Sequence, residues 1–475
     1  MSEKLIYEVG QPGRRAASLP ALDVPEAELP PEWQRDGLRL PEVSEVTLTR
    51  HYLRLSQLNY AVDVGFYPLG SCTMKYNPKV NEETALLPGF LRSHPLQPVD
   101  TAQGNLRLMY ELQQALAEIA GFAAVTLQPA AGAQGELTGI LIVRCYHDAR
   151  GEGSRKKILI PDSAHGTNPA STSMSGYEVT QLPSDERGNI SLEHLRAQCS
   201  PEVAGIMITN PNTLGLFDEH IEEVCHIVHE CGGLVYGDGA NLNALLGIVK
   251  PAHLGFDLMH FNLHKTFSAP HGGGGPGSGP VGVRADLAPY LPGPLVARRG
   301  DRYELDTPAE SIGPVRSFYG QFSVLVKAYT YIRMLGETGL REVSEGAVLA
   351  ANYLQARLKQ TYPLPYDRTC MHEFVLEGRV KDAPGVRALD IAKRLIDYGY
   401  HPPTNYFPLI VHEALMIEPT ETEDRETLDA FARAMEAISR EAVEQPALLF
   451  EAPHNTPVRR LDEVQAAREP RLCFG

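Results

Sequence analysis

With 59 acidic against 43 basic side chains, and a net charge of −16 over 475 residues, the chain repels polyanions, which excludes nucleic acid and anionic membrane as its main partners. Its length exceeds one ordinary core and predicts two or three domains. A composition 43% hydrophobic and 21% charged is that of a soluble globular protein.

The opening MSEKLIYEVG carries no run of signal-peptide length, and no stretch reaches bilayer length. Seven cysteines, at 72, 145, 199, 225, 231, 370 and 473, form an odd set without a CxxC pair. They predict neither a disulfide framework nor a structural zinc site, and the cytoplasm is the expected compartment.

Residues 1–42 are rich in proline, glycine and charge without sustained period, and read as an extended arm. Val46, Tyr52, Leu53 and Leu58 recur at roughly helical spacing, predicting a helix over 44–60. The loop Gly65–Pro78, GFYPLGSCTMKYNP, follows. Leu106–Ala120 is amphipathic, and Ala123–Leu127 reads as a strand ending in the small-residue turn Ala130–Gly135, which opens a helix toward Val143. Three further strands are expected at Ile158–Ile160, Val203–Thr209 and Leu234–Tyr236. They end at His165, Asn210-Pro211-Asn212 and Gly237-Asp238-Gly239. A helix carries Ile221, Val224, Cys225 and Val228 on one face, and Leu258–Leu263 leads to His264-Lys265.

A smaller unit is expected after the helix at 321–335. It has a strand at His372–Leu376, a helix at Ala388–Tyr398 and a long helix at Asp424–Val443, with a second arm from 445. The expected division is 1–95, arm and helical segment; 96–335, large domain; and 336–475, small domain and tail. Short apolar strands alternating with helices predict an α/β fold with a mostly parallel sheet covered on both faces. Ligands of such sheets bind beyond the strands' carboxyl ends, so the turn near Gly132, His165, Asn212, Asp238 and Lys265 are expected on one rim.

Lys265 follows an apolar strand and precedes a Gly-rich loop in a chain with only 11 lysines. A solvated surface lysine fits that setting poorly. Asp238 alone would read as a turn aspartate, but paired with a strand-end lysine it suits a carboxylate that keeps a pyridine nitrogen protonated. The small residues Ala131-Gly132-Ala133 suit backbone approach to a phosphate at a helix N-terminus, although a plain tight turn reads the same. His165 suits stacking on a ring and equally suits a polar loop.

This order of signals resembles fold-type I pyridoxal-phosphate enzymes. Four longer segments, Tyr67–Pro78, Asn262–Phe267, His271–Pro276 and Ser311–Gly320, resemble the glycine decarboxylase P-protein of the glycine cleavage system over about residues 40–460. The chain is about half the length of single-chain P-proteins and is similar to their lysine-bearing half, subunit 2 of the split form.

The resemblance implies a seven-stranded, mostly parallel sheet in the large domain. It implies that Lys265 carries pyridoxal 5'-phosphate covalently, that His165 stacks on the ring, that Asp238 pairs with its nitrogen and that Ala240 covers the other face. It implies Ala133, Gln134 and His264 near the phosphate, with Thr167 and Asn212 near the ring substituents. Ser71, Cys72, Lys75, Gly320 and Gln321 are implied to close over substrate or reach a neighbouring site. The implied reaction is decarboxylation of glycine with transfer of the aminomethyl group to the lipoyl arm of an H-protein. A homologous subunit 1 is the implied partner in an α2β2 heterotetramer.

Other readings compete. A cysteine desulfurase using Cys370 as nucleophile shares the fold signals, and a non-catalytic assembly subunit would retain the fold without the chemistry. Gly272–Gly277 matches GxGxxG but precedes a strand-like Val281–Val283 and contains Pro276, so it is not a dinucleotide turn. Cys225, His226, His229 and Cys231 are close in sequence, yet helical periodicity accounts for them as packing, and no metal is expected.

Overall fold

The computed structural model describes residues 3–35, 37, 40–271 and 277–472; most of the Gly-rich loop, 272–276, and Cys473 lie outside them. Two compact units emerge, one of Met1–Val64 with Pro453–Gly475 and one of Gly65–Ala452. In the first, a helix at Glu45–Ser56 begins where Ser44 Oγ accepts the Thr47 N–H. The Glu3 carboxylate accepts from Arg54 and lies 3.3 Å from His51.

The larger unit is built on seven strands: β1 Ala124–Thr126, β2 Lys157–Pro161, β3 Glu178–Leu182, β4 Val203–Thr209, β5 Leu234–Gly239, β6 Leu258–Phe261 and β7 Val281–Val283. Their order is β1-β7-β6-β5-β4-β2-β3. β7 runs antiparallel to both neighbours, so the other six point one way. Consecutive residues enter opposite apolar clusters. Leu159, Val235 and Met259 join the cluster that takes in the helices Gln103–Ala120 and Ile221–Glu230, whereas Ile158, Tyr236 and Leu258 join the one that takes in the helix Gly132–Ala149. Burial on both faces is why these strands read as continuous apolar runs.

Close helix–strand approach explains one run of small residues. A Cβ on Gly132 would meet Asn262 Oδ1 at 2.4 Å, and one on Gly135 would meet His260 Cβ at 2.8 Å. The helix Gly132–Ala149 therefore seats its first turn directly on the end of β6.

A hairpin, β8 Leu295–Arg299 and β9 Arg302–Asp306, precedes the helix Phe322–Leu358. That helix is longer than the expected 321–335 and breaks at Gly336, whose φ of 62° and ψ of −169° leave the helical region. Its start packs Leu325 and Val326 against the large sheet's cluster, and its end packs Leu354 and Leu358 into a C-terminal core. There β10 Phe374–Glu377, β11 Thr404–Asn405 and β12 Ala414–Ile417 form an antiparallel sheet in the order β10-β12-β11. Helices Ala388–Asp397 and Arg425–Glu444 complete it, with Phe431 fully buried, worth about 2–3 kcal/mol relative to exposure. The expected arm from 445 starts later. Leu449 and Ala452 are buried, and Leu449 joins this core, because the short helix Ala447–Phe450 presents an apolar side chain to it.

Candidate active site

Five loops meet at one edge because five strands, β1, β2, β4, β5 and β6, point there. β1 feeds the turn before Gly132, β2 feeds His165, β4 feeds Asn212, β5 carries Asp238 as its penultimate residue, and β6 feeds Lys265. Parallel topology alone gathers these residues, Gly132 to Lys265, from across 133 positions of sequence.

Lys265 is 8% exposed. Its Nζ donates to the Ser71 carbonyl oxygen at 2.8 Å, and Ser71 Oγ is hydrogen-bonded to His165 Nε2 at 2.9 Å. The loop Tyr67–Pro78 thus touches both the lysine and the histidine. Burial lowers the His165 pKa to about 4, with Lys265 and His260 adding to the effect and Asp238 opposing it. The imidazole is neutral at physiological pH.

Asp238 is buried. Its Oδ2 accepts from Asn168 Nδ2 at 2.9 Å, its Oδ1 accepts from the Ala240 N–H at 3.0 Å, and His260 Nε2 lies 3.4 Å away. Burial works against its charge, but His260, His165 and these two donors outweigh it and hold the carboxyl at about 2. Glu136 lies near this centre and accepts from Thr167 Oγ1 at 2.6 Å and Ser171 Oγ at 3.0 Å. Burial and the Asp238 charge raise it to about 7.

The remaining expected residues fall into two groups. Ala133 lies in the first turn of the helix that Gly132 begins. Gln134 accepts from Ala130 N–H and donates to Val315 O, so it ties the turn to the 311–320 segment. Ala240 is buried behind Asp238, and His264 accepts from Ser278 N–H beside the His271 ring. Asn212, by contrast, spends its side chain on its own loops, accepting from Leu214 and Leu216 N–H and donating to Gly188 O. Lys75 is buried and bound to Glu421 at 2.8 Å, Asn243 at 2.9 Å and Tyr331 at 3.2 Å. Cys72 Sγ is 3.4 Å from His271 Nε2, and burial raises its pKa. Gly320 and Gln321 precede the long helix, where Gly320 lines a small apolar pocket with Leu106, Met109 and Phe322.

Several polar residues here escaped sequence reasoning. Asn168 holds Asp238. His372, Glu373 and Glu418, all buried, bring donor atoms within 4.8 Å of one another. Glu373 accepts the Ser71 N–H at 2.7 Å, Glu418 accepts from Thr73 Oγ1 at 2.5 Å, and neither His372 nitrogen has a hydrogen-bond partner, Nε2 lying 4.0 Å from Glu418. The available signal was the one that marked Asp238, a charged residue abutting a buried strand: Glu373 precedes β10 and Glu418 follows β12. Of the Cys225–Cys231 group only Cys225 packs in the core; His226 and His229 are exposed, His229 binding Asp257 at 2.9 Å, and Cys231 bonds to Val228 O.

Comparison with known proteins places this geometry. Residues 343–455 match the family described as the glycine dehydrogenase C-terminal domain, and residues 140–275 match aminotransferase class V. A protein of Caldanaerobacter subterraneus subsp. tengcongensis, named probable glycine dehydrogenase (decarboxylating) subunit 2, is 60% identical, covering 98% of this chain and 97% of its own. The chain belongs to that family. A second member of the family, from Halalkalibacterium halodurans, is 58% identical over 99% of this chain and 98% of its own. A crystal structure of glycine decarboxylase (P-protein) of the glycine cleavage system matches with a TM-score of 0.73 at 24% identity, over 86% of this chain and 93% of that one. The fold is the fold-type I α/β architecture expected from the sequence.

These matches imply pyridoxal phosphate, and the rim fits it. A buried amine at Lys265, an ionised carboxyl at Asp238 and a helix start built from small residues are the donor set such a group requires. Thr266 Oγ1 and Asn168 Oδ1 are buried without partners, leaving polar valences at the rim for a ligand to fill.

Proposed function

We propose that this chain is the cofactor-bearing subunit of a glycine dehydrogenase (decarboxylating): it decarboxylates glycine and passes the aminomethyl group to the lipoyl arm of an H-protein. The observation that carries the reading is Ser71, which joins the Lys265 amine to the His165 ring within 2.9 Å on the rim where Asp238 stays ionised. Lys265 would hold pyridoxal phosphate, which would supply a protonated ring able to accept the electron pair left on loss of CO2.

Each protein group then has a task. Asp238 holds a proton on the ring nitrogen by charge. His165, being neutral, would lie against one ring face without opposing that proton, and Ala240 would bound the other. Ala133, Gln134 and His264 line the phosphate end, with Thr167 and Asn212 near the ring substituents. Ser71, Cys72, Gly320 and Gln321 border the substrate. Lys75 borders it as a fixed tie, since its ammonium already has three partners.

A homologous subunit 1 completes the enzyme as an α2β2 heterotetramer. Two facts support a partner: the relatives' names say subunit 2, and Leu19, Leu22 and Trp33 are exposed at 92%, 69% and 73%, a pattern that another chain would cover. The reading puts the protein in the cytoplasm. The six cysteines among the described residues are all free thiols, which suits a reducing compartment, and no helix among the described residues is long and apolar enough to cross a membrane. The desulfurase alternative is disfavoured by Cys370, which is fully buried and has its thiol pushed up to about 12 by that burial.

The test is glycine–bicarbonate exchange with lipoylated H-protein, measured before and after adding the candidate subunit 1. The expected result is exchange only after the addition. Full exchange by the isolated chain would remove the partner from the reading, and cysteine turnover in place of glycine exchange would overturn it.

A further inference from the structure

Ser71 is one of four non-glycine residues with positive φ among the described residues, at 65°. An L-residue in the left-handed region is strained and persists only when its surroundings fix it. Here each polar group of one residue has a separate partner. The N–H donates to Glu373 Oε2 at 2.7 Å, the carbonyl accepts from Lys265 Nζ at 2.8 Å, and the hydroxyl meets His165 Nε2 at 2.9 Å. Two of these partners belong to the reacting rim. Glu373 alone lies elsewhere, as the residue just before β10 of the small sheet.

The carboxyl of Glu373 is itself rigidly placed. Phe374 pairs with Ile417 across β10 and β12, so Glu373 and Glu418 stand on the next rung, both buried. Glu418 accepts from Thr73 Oγ1, and Asn241 Nδ2, which also donates to Pro211 O, donates to Glu373 Oε1 at 3.2 Å. Two carboxyls therefore clamp the Ser71–Thr73 turn from below. Two buried neighbouring carboxyls do not both ionise. Burial raises each, Glu373 to about 7, and Glu373 adds to the rise at Glu418.

We infer that Glu373 is a positioning residue: its carboxyl oxygen fixes Ser71 in the left-handed conformation and, through Ser71, sets where the Lys265 amine and the His165 ring stand. The inference rests on the reading of Lys265 as the cofactor-bearing lysine. What Glu373 supplies is an acceptor oxygen at one place, not a charge. A glutamine keeps, on a side chain of the same length, an acceptor oxygen for the Ser71 N–H and gives up only the 3.2 Å contact from Asn241 Nδ2; a leucine keeps neither.

The experiment follows the uptake of pyridoxal phosphate by the cofactor-free full chain, read as growth of the lysine-bound absorbance. The visible circular dichroism of the bound ring reports its placement. Glu373→Leu is expected to slow uptake by about tenfold or more and to change the dichroic band, while Glu373→Gln stays within about threefold of the parent and keeps the band. Parent-like uptake and dichroism in Glu373→Leu, or equal impairment in both variants, overturns the inference. Where the leucine variant does not fold, Glu373→Asp replaces it. Its acceptor is one methylene short of Ser71, so slowing of about fivefold or more is expected, and a parent-like rate overturns the proposal. If the unmodified chain forms no lysine-bound absorbance, or borohydride fixes label elsewhere than Lys265, the cofactor reading fails first, and the two failures are distinguishable.

Discussion

Two buried lysines meet at the loop Tyr67–Pro78, Lys75 as part of it and Lys265 bonded to its Ser71, and they differ in what surrounds them. Lys75 is 2% exposed and Lys265 is 8% exposed, so burial does not tell them apart. Lys75 has a carboxylate, a phenol and an amide oxygen as fixed partners. Burial alone would lower its pKa, but Glu421 and Tyr331 reverse this and raise it. Lys265 has a single backbone carbonyl as its hydrogen-bond acceptor. A lysine whose donors are all satisfied by side chains is a structural cation, whereas one held by a single weak acceptor is available for covalent chemistry.

The largest expected effect tests that contrast at its reactive end. Lys265→Ala should abolish the lysine-bound absorbance and lower glycine–bicarbonate exchange on the order of 10⁴-fold or more, leaving thermal unfolding nearly unchanged. Borohydride reduction of the parent, followed by peptide mapping, should find the label on Lys265, and label on Lys75 would reverse the assignment.

Asp238→Asn is expected next in size, with exchange reduced by about 10²- to 10³-fold while some cofactor binding persists, because an amide cannot hold the ring proton by charge. The pH behaviour follows from the sign of the shift. The folded pKa of Asp238, about 2, lies below the ordinary 3.8. Its contribution to stability is therefore complete above the unfolded value and is lost as pH falls from about 4 through 2. Between pH 5 and 9 the parent's bound-ring spectrum should show no step from this carboxyl. A spectral step in that range that vanishes in Asp238→Asn contradicts the assignment.

Lys75→Met sharpens the comparison from the structural side. It leaves the Glu421 carboxylate, whose side chain is 10% exposed, without its cation and should cost about 2–4 kcal/mol in denaturant unfolding, while borohydride label per folded molecule stays on Lys265. A variant of unchanged stability would mean that the Lys75–Glu421 pair does not hold the loop. Cys370→Ala is expected to do least, about 1 kcal/mol in stability with glycine exchange unchanged. A large loss of turnover there would revive the cysteine-nucleophile reading.

Much of this molecule follows from local pattern. β4 has the bounds that its apolar run Val203–Thr209 predicts, and β1, β2, β5 and β6 differ from expectation only at their ends. β3, the β8–β9 hairpin, β11 and β12 went unread: β3 is an edge strand whose exposed Glu178, Val179 and Gln181 lack the apolar run of its neighbours, and β12, Ala414–Ile417, is a buried run of only four residues. The bend at Gly336 was visible only as the expected end of a helix that in fact continues to Leu358.

The sequence by itself determined the α/β class, the strand ends that carry Asp238, His165 and Lys265, and the family resemblance of the long segments. Those features depend on periodicity and on residue types a few positions apart. Tertiary structure alone decided which polar side chains share the site. Glu373 meets Ser71 across 302 positions and Glu418 meets Thr73 across 345, and the pairing of β10 with β12 brings the two carboxyls together. No local pattern encodes such a contact, because it is the cross-strand register that fixes it. The same holds for the two lysines: their surroundings, formed by residues remote in sequence, make one a structural cation and leave the other free to react.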